Sequence, residues 1–373
     1  MAGSVFGEVF RISTWGESHG PALGVVVDGC PAGIPLSGED FTEAMARRAP
    51  GQTKYATPRS ETDTVEILSG VFEGKTTGTP ISLVIRNTSQ RSGDYSEVAG
   101  YYRPGHADFT FDAKYGFRDY RGGGRSSGRE TAARVAAGCV AGKLLAGLGV
   151  DTTAYVKQIG PYCCRKNVYQ DGIVPSREQI EAGPLRMPDE EASAQAEEYL
   201  AGLMEEGDSA GGVIECIVTG VPAGIGEPVF DKLDARLGQA IFSIGAVKGV
   251  EIGDGFHVAE ARGSENNDGF IPTEDGVGKT ANRAGGILGG ISDGNPIVLR
   301  AAFKPTPSIR KEQQTVNRKG EAVSISVKGR HDPVIVPRAV VVVEAMVNLV
   351  LADLMLIGLS TRMEDITNYY VKN

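Results

Sequence analysis

Apolar residues recur at helical spacing through Ala132, Val135, Ala136, Cys139, Val140 and Leu144, which predicts a helix buried along one face. The residues just before it, Ser127-Gly-Arg-Glu130, read as a capping box. A serine hydroxyl and a glutamate three positions on would satisfy the N–H groups left open at a helix start. An earlier amphipathic helix is expected over Asp40–Arg48, capped by Ser37, with Phe41, Ala44 and Met45 apolar and Pro50-Gly51 closing it. Leu233–Ile241 reads as its counterpart. Short apolar runs at Val5–Ile12, Leu23–Val27 and Val213–Val218 predict strands. The most apolar stretch, Val334–Ile357, is interrupted by Arg338, Glu344 and Asp353, which suits a buried helix better than a membrane span. The acidic run Asp189–Glu206 reads as an exposed helix.

The pattern repeats. Gly16-Glu-Ser-His-Gly20 aligns without gaps on Gly207-Asp-Ser-Ala-Gly211, and the match runs on to Pro31-Ala-Gly-Ile34 against Pro222-Ala-Gly-Ile225. Nine of these 19 positions are identical, too many for a shared turn alone. Gly70–Leu83 resembles Gly286–Leu299 more loosely, and an arginine-rich turn feeding a long apolar helix occurs at Arg125 and again at Arg330. Internal duplication is the economical reading: two α/β halves, about residues 1–150 and 205–357, joined by a helical linker near 185–206. Short strands joined by turns favour antiparallel pairing over a doubly wound parallel sheet.

Composition narrows the function. Glycine is the outlier, 51 of 373 residues, spread through turns between apolar runs. A formal net charge of −9 argues against nucleic acid or an anionic membrane as the general partner. Five cysteines (Cys30, Cys139, Cys163, Cys164, Cys216) show neither an even count nor metal-ligand spacing, so free thiols in a reducing cytoplasm and no metal are expected. Met1–Thr14 lacks the basic start and apolar core of a secretory leader.

Against that acidic background Arg118–Arg134 holds five arginines and two acids. Gly122, Gly123 and Gly124 let backbone approach a ligand, and the expected helix start aims N–H groups and a positive dipole end at the same place. That combination suggests an anion site. Of the four histidines, His19, His106 and His331 lie in polar turns beside arginine or acid, whereas His257 reads as a core residue. The duplication serves as a control: Ala210 stands where the first copy has His19, so the turn itself does not require an imidazole. Further basic clusters are Arg47, Arg48, Lys54 and Arg59, and Lys304-Pro-Thr-Pro-Ser308 with Arg310 and Arg330. For Arg47 the structural reading, a cation at a helix C-terminus, is preferred. Gly278-Lys-Thr280 is set aside as a P-loop because Thr273 occupies the required glycine position.

Gly16-Glu-Ser-His-Gly20, Arg121-Gly-Gly-Gly-Arg-Ser-Ser-Gly-Arg-Glu-Thr131 and Arg330-His-Asp-Pro333 resemble the three signature regions of the chorismate synthase family. Arg103–Asp108, Ala246–Gly253 and Gly285–Gly290 match its pattern too, collinearly from about Phe6 to Asp353. The resemblance implies a single domain over 1–373, an α+β sandwich with helices between two mainly antiparallel four-stranded sheets, assembled as a homotetramer. The implied reaction is 1,4-elimination of phosphate from 5-enolpyruvylshikimate 3-phosphate, dependent on reduced FMN without net redox change, with NADPH or an outside reductant as electron source. It assigns His19 to the leaving phosphate, His106 to the flavin edge, and Asp332 to proton removal together with flavin N5. For FMN it implies Arg125, Ser126, Ser127, Gly245, Ala246, Gly289, Lys304, Pro305, Thr306, Pro307, Ser308 and Arg330. For substrate or NADP it implies Arg48, Lys54, Arg129 and Arg134. Lys54 and Gly245 depart from the family's usual arginine and asparagine. Two other classes stay open: an FMN-dependent oxidoreductase, and a non-catalytic binder of a phosphometabolite or RNA.

Overall fold

The structure, a computed structural model, describes residues 3–51, 53, 55, 63–88, 97–165, 172–274, 276–326 and 332–371. The strands of its two main sheets are β1 (Val5–Phe6), β2 (Arg11–Gly16), β3 (Ala22–Asp28), β4 (Val65–Ile67), β5 (Ile81–Arg86), β6 (Asp151–Ile159), β7 (Tyr162–Cys163), β8 (Gly212–Thr219), β9 (Val247–Ile252) and β10 (Ile297–Phe303). The helices that matter here are α1 (Thr42–Arg48), α2 (Asp108–Tyr115), α3 (Thr131–Ala146), α4 (Glu190–Glu206), α5 (Leu233–Phe242) and α6 (Val336–Gly358).

One sheet runs β1-β2-β3-β5-β4 and the other β9-β10-β8-β6-β7, every neighbouring pair antiparallel. Each has five strands where four are expected, because β1 and β7 add two-residue edges. Alternate residues share a buried face: Leu23, Val25 and Val27 on β3, and Ile81, Leu83 and Ile85 on β5. Helix α3 packs on β3 and β5, α6 packs on β6 and β8, and the two helices pack on each other. At their crossing a Cβ on Gly138 would fall 2.3 Å from Cβ of Ala345, so the helices meet there through backbone.

Helix α6 is rich in valine, a mediocre helix former, and owes its helicity to burial. Pro337 fits its first turn, where a missing N–H costs nothing. The charges interrupting its apolar run are all engaged. Glu344 accepts from Arg47 Nη1 at 2.6 Å, from Arg177 Nη1 at 2.9 Å and from the Ala154 amide at 3.0 Å.

Asp353, 2 % exposed, accepts the amides of Glu8, Val9 and Phe10 at 3.1, 2.7 and 2.9 Å and pairs with Arg236 at 3.2 Å. That clamp explains a departure from the expected single strand at Val5–Ile12. The chain breaks at Gly7, whose φ is +88°, and turns its amides toward Asp353 before β2 begins. The acidic helix is also not wholly exposed, since α4 buries Ala192, Ala196 and Leu200. All five cysteines are free thiols.

Candidate functional site

The turn that leads into α3 is tightly wound, with Gly122, Gly123 and Gly124 all at positive φ. Ser127 Oγ accepts from the Arg129 amide at 3.3 Å and caps a short 3-10 turn, Gly128–Glu130, ahead of the helix. The expected return bond from Glu130 is not made. Its carboxylate holds Arg134 Nε at 2.9 Å instead, the arginine one helical turn on competing successfully for it. Nor do the five arginines converge on one point. Arg118 reaches down to Asp112 at 2.5 Å and Arg121 pairs with Asp119 at 2.8 Å. Arg125 donates to Gly16 O at 3.1 Å and Thr14 Oγ1 at 2.8 Å, clipping the end of β2. Arg134 donates to Ser243 Oγ at 2.6 Å and Ser243 O at 3.1 Å.

His19 lies against this turn. Its Nδ1 is 3.2 Å from Ser18 Oγ, which donates to Gly122 O at 3.3 Å. Asn87 extends the cluster: its amide donates to Glu17 O at 3.0 Å and Gly20 O at 2.8 Å, while its oxygen accepts from Arg129 Nε at 2.9 Å. Arg129 also binds Asp63, whose other oxygen takes Arg48 Nη2 at 2.7 Å. Asp63 sits at φ +46°, a conformation that a non-glycine residue adopts only where its surroundings impose it. Arg338 donates to Arg48 O at 3.2 Å and to Asp332 Oδ2 at 2.6 Å. Arg48 is 2 % exposed. Burial pulls its pKa down to about 10, with Arg338 and Arg129 pushing the same way against Asp63. It keeps its charge at neutral pH, inside a crowd of cations.

A second cluster surrounds His106. Its Nδ1 is 3.0 Å from Pro104 O and its Nε2 2.9 Å from Ser308 Oγ, so Nδ1–H donates to the carbonyl and Nε2 accepts from the hydroxyl. Burial, then the nearby Arg103, lowers its pKa to about 4, which makes it a neutral imidazole. Lys304 Nζ donates to Gly105 O at 2.6 Å, and the Lys304 amide to Ala246 O at 2.9 Å. Ala246 is itself left-handed, at φ +73°. Thr306 Oγ1 is buried and has no hydrogen-bond partner among the described residues. The turn of the second repeat joins the clusters: Ser209 Oγ donates to Thr306 O at 2.7 Å, and the Ala210 amide to Pro333 O at 2.8 Å.

Other expected positions fall elsewhere. Gly245 is exposed at the end of α5. Gly289 belongs to a hairpin whose next residue, Gly290, accepts from the Leu233 amide at the start of α5. Gly289 therefore lies by the start of α5 and Ala246 beyond its end. Ser126 Oγ donates to Gly123 O at 2.7 Å, within its own turn. His257 is exposed rather than in the core, on a 3-10 turn that buries none of its residues. Arg47 is structural, but through ion pairs with Glu181 (2.7 Å) and Glu344 (2.6 Å) rather than the helix dipole. Lys279, of the discarded P-loop, lies in a strand and pairs with Asp268 and Asp293 at 3.1 and 2.6 Å. Lys54, Arg59, Arg330 and His331 lie outside the described residues. Asp63, Asn87, Arg338 and Ser243 carry the network without belonging to any motif in the sequence. An open cleft of about 540 Å³ borders it, lined by Arg47, Tyr55, Glu181, Arg186, Glu197 and Arg338.

Comparison with known proteins shows the family. A model of the family described as chorismate synthase matches residues 10–356. A curated chorismate synthase of Lachnoclostridium phytofermentans is 63% identical over 373 residues, covering 100% of both chains. One from Methanosarcina mazei is 55% identical over 357 residues, covering 95% of this chain and 97% of its own. A crystal structure of chorismate synthase superposes with a TM-score of 0.78 at 35% identity, covering 98% of each chain. With the family matched from Phe10 through the long closing helix, the chain belongs to the chorismate synthase family.

Proposed function

We propose that the chain converts 5-enolpyruvylshikimate 3-phosphate to chorismate by 1,4-elimination of phosphate, using reduced FMN. The observation that carries the reading is the cluster beside His19. There Arg48 and Arg129 share the carboxylate of Asp63, and Arg338 reaches both Arg48 O and the carboxylate of Asp332. The substrate brings two carboxylates and a phosphate, and burying them is costly without fixed cations. Charge-assisted hydrogen bonds contribute about 1.5–3 kcal/mol each, so several arginines are needed to offset desolvation.

The residues around His106 fit a flavin. Thr306 offers a buried hydroxyl that lacks a partner among the described residues, and Lys304 a cation whose pKa is lowered by burial and then by Lys248. FMN would be held by Lys304, Pro305, Thr306, Pro307 and Ser308, by Gly245 and Ala246, by Arg125, Ser126 and Ser127, and by Gly289 and Arg330. Reduced FMN held there would supply a transient electron source for the elimination, without net redox change. His19 donates a proton to the departing phosphate oxygen. The Asp332 carboxylate, one oxygen fixed by Arg338, takes the ring proton. The neutral His106 keeps its Nδ1–H on Pro104 O and would offer Nε2, with Ser308 Oγ beside it, as an acceptor at the flavin edge rather than act as a strong acid. Arg48 and Arg129, with Lys54, hold the substrate anions or NADP.

We read the chain as one domain of two duplicated halves. The order β2-β3-β5-β4 in one sheet corresponds strand for strand to β6-β8-β10-β9 in the other, with the long helices between them. Exposed Phe230, Phe256, Phe270 and Val277 support self-association, for which the family resemblance implies a homotetramer; the five free thiols suit the cytoplasm. The test is anaerobic turnover of enolpyruvylshikimate phosphate with dithionite-reduced FMN, alongside FMN with NADPH. Many phosphates released per flavin, and none with oxidised FMN alone, support the reading. Stoichiometric substrate oxidation would instead indicate an oxidoreductase, and binding without turnover a phosphometabolite carrier.

A further inference from the structure

The geometry points to Arg134 as a positioning residue that sets the Ser243–Ala246 turn against the start of α3, rather than a contact for substrate. Its guanidinium is divided between two elements. Nε is held by Glu130 at 2.9 Å, and the other two nitrogens donate to Ser243, Nη1 to Oγ at 2.6 Å and Nη2 to the carbonyl at 3.1 Å. The acceptor is well suited. Ser243 follows the last residue of α5, where the helix dipole leaves partial negative charge on open carbonyls. The Ser243 hydroxyl spends its own proton on Ala240 O at 2.6 Å, so its lone pairs face the arginine. The fork therefore fixes both the end of the helix and the direction in which the chain leaves it.

What leaves is a strained turn. Ile244 is buried as an anchor, Gly245 is exposed, and Ala246 is held at φ +73° with its carbonyl accepting the Lys304 amide at 2.9 Å. On the other side, Glu130 is the last residue of the Ser127-capped turn, and its amide donates to Ser127 O at 3.2 Å. Arg134 is thus the side chain that couples the Arg125–Ser127 turn to the Gly245–Ala246 turn, and through Lys304 to the His106 cluster. Its nitrogens are committed to these protein partners, with the side chain 17% exposed.

The inference rests on the reading that both turns hold FMN, and the test separates the two. In the apo protein, amide exchange at residues 244–247 and 304 is expected to quicken about tenfold or more in Arg134→Ala and in Ser243→Ala, with Arg134→Lys intermediate because a lysine keeps the charge and loses the fork. The FMN dissociation constant, followed by flavin fluorescence, should rise about tenfold in the same order, and the bound-flavin absorbance should move toward that of free flavin. Substrate KM at saturating FMN should stay within about twofold. A raised substrate KM with exchange and FMN affinity unchanged would overturn the inference and make Arg134 an anion contact. Should wild-type protein bind no FMN, the functional reading fails, and apo exchange still decides the role of Arg134. Should Arg134→Ala not fold, Ser243→Ala and Arg134→Lys carry the decision.

Discussion

Gly122 packs against the ring of His19: a methyl group on Gly122 would fall 2.4 Å from Cε1 and 2.6 Å from Nδ1. Gly122 also adopts φ +63°, so the position excludes a side chain on two counts. Gly122→Ala should displace the imidazole by about an ångström and lower phosphate release about 10²-fold, the usual scale for a misplaced reacting group. Far-UV circular dichroism should be unchanged. Wild-type turnover in this variant would remove the close packing from the mechanism.

His19→Ala should lower turnover by about 10²–10⁴-fold, as for a positioned acid, with little loss of stability. The second repeat already carries Ala210, buried, at the equivalent turn. A loss smaller than about tenfold in single-turnover phosphate release would take the proton-donor role from His19.

His106 makes stability depend on pH in a defined direction. Its pKa falls from 6.5 to about 4 on folding, so between those values the unfolded chain binds more protons and stability rises with pH. The contribution is fully present above pH 6.5 and is lost as pH falls toward 4, by roughly 3 kcal/mol in all. Urea unfolding from pH 7 down to 4.5 should show this slope in the wild type and a shallower one in His106→Gln. Equal slopes would show that His106 is not held neutral.

Asp353→Ala should be among the most destabilising single changes, about 3–5 kcal/mol by chemical denaturation. It strips a charged acceptor from three amides and leaves Arg236 facing Glu8 and Asp231 alone. The protein that remains folded should keep its kcat, because the described partners of Asp353 are Glu8, Val9, Phe10 and Arg236, none of them in the candidate site.

Gly138→Ala sets two effects against each other. Alanine is the better helix former by about 1 kcal/mol. The added methyl would meet Cβ of Ala345 at 2.3 Å, and overpacking of that kind costs about 1–3 kcal/mol. A net loss of thermal stability is expected. A gain would mean that the helices can separate without penalty.

The elements legible in the sequence were those with a local cause. α3, α5 and α6 appear within a few residues of where periodicity puts them, because a 3.6-residue repeat of apolar positions is recorded in the helix itself. Val5–Ile12 was not legible as two pieces, since the break depends on an aspartate more than 340 positions away. The histidines of the site announced themselves by their turns. Asp63, Asn87, Arg338 and Ser243 did not, because each acts only through a partner brought to it by tertiary folding. The arginine-rich turn misled in one respect. Charge density marks where cations are and not where they point: Glu130, four residues before Arg134, reads in the sequence as a helix cap, and Asp112 and Ser243 reach Arg118 and Arg134 only once the chain is folded.

The Asp353 clamp bears on how the chain is made. The amides at positions 8–10 leave the ribosome first and wait for a carboxylate that emerges some 340 residues later, on the helix that also fills the space beside α3. Until that helix is synthesised, the side of α3 turned away from the first sheet lacks its cover. The early half must therefore persist as an unfinished, apolar-faced intermediate, the kind of species that chaperones hold and that aggregates when they do not.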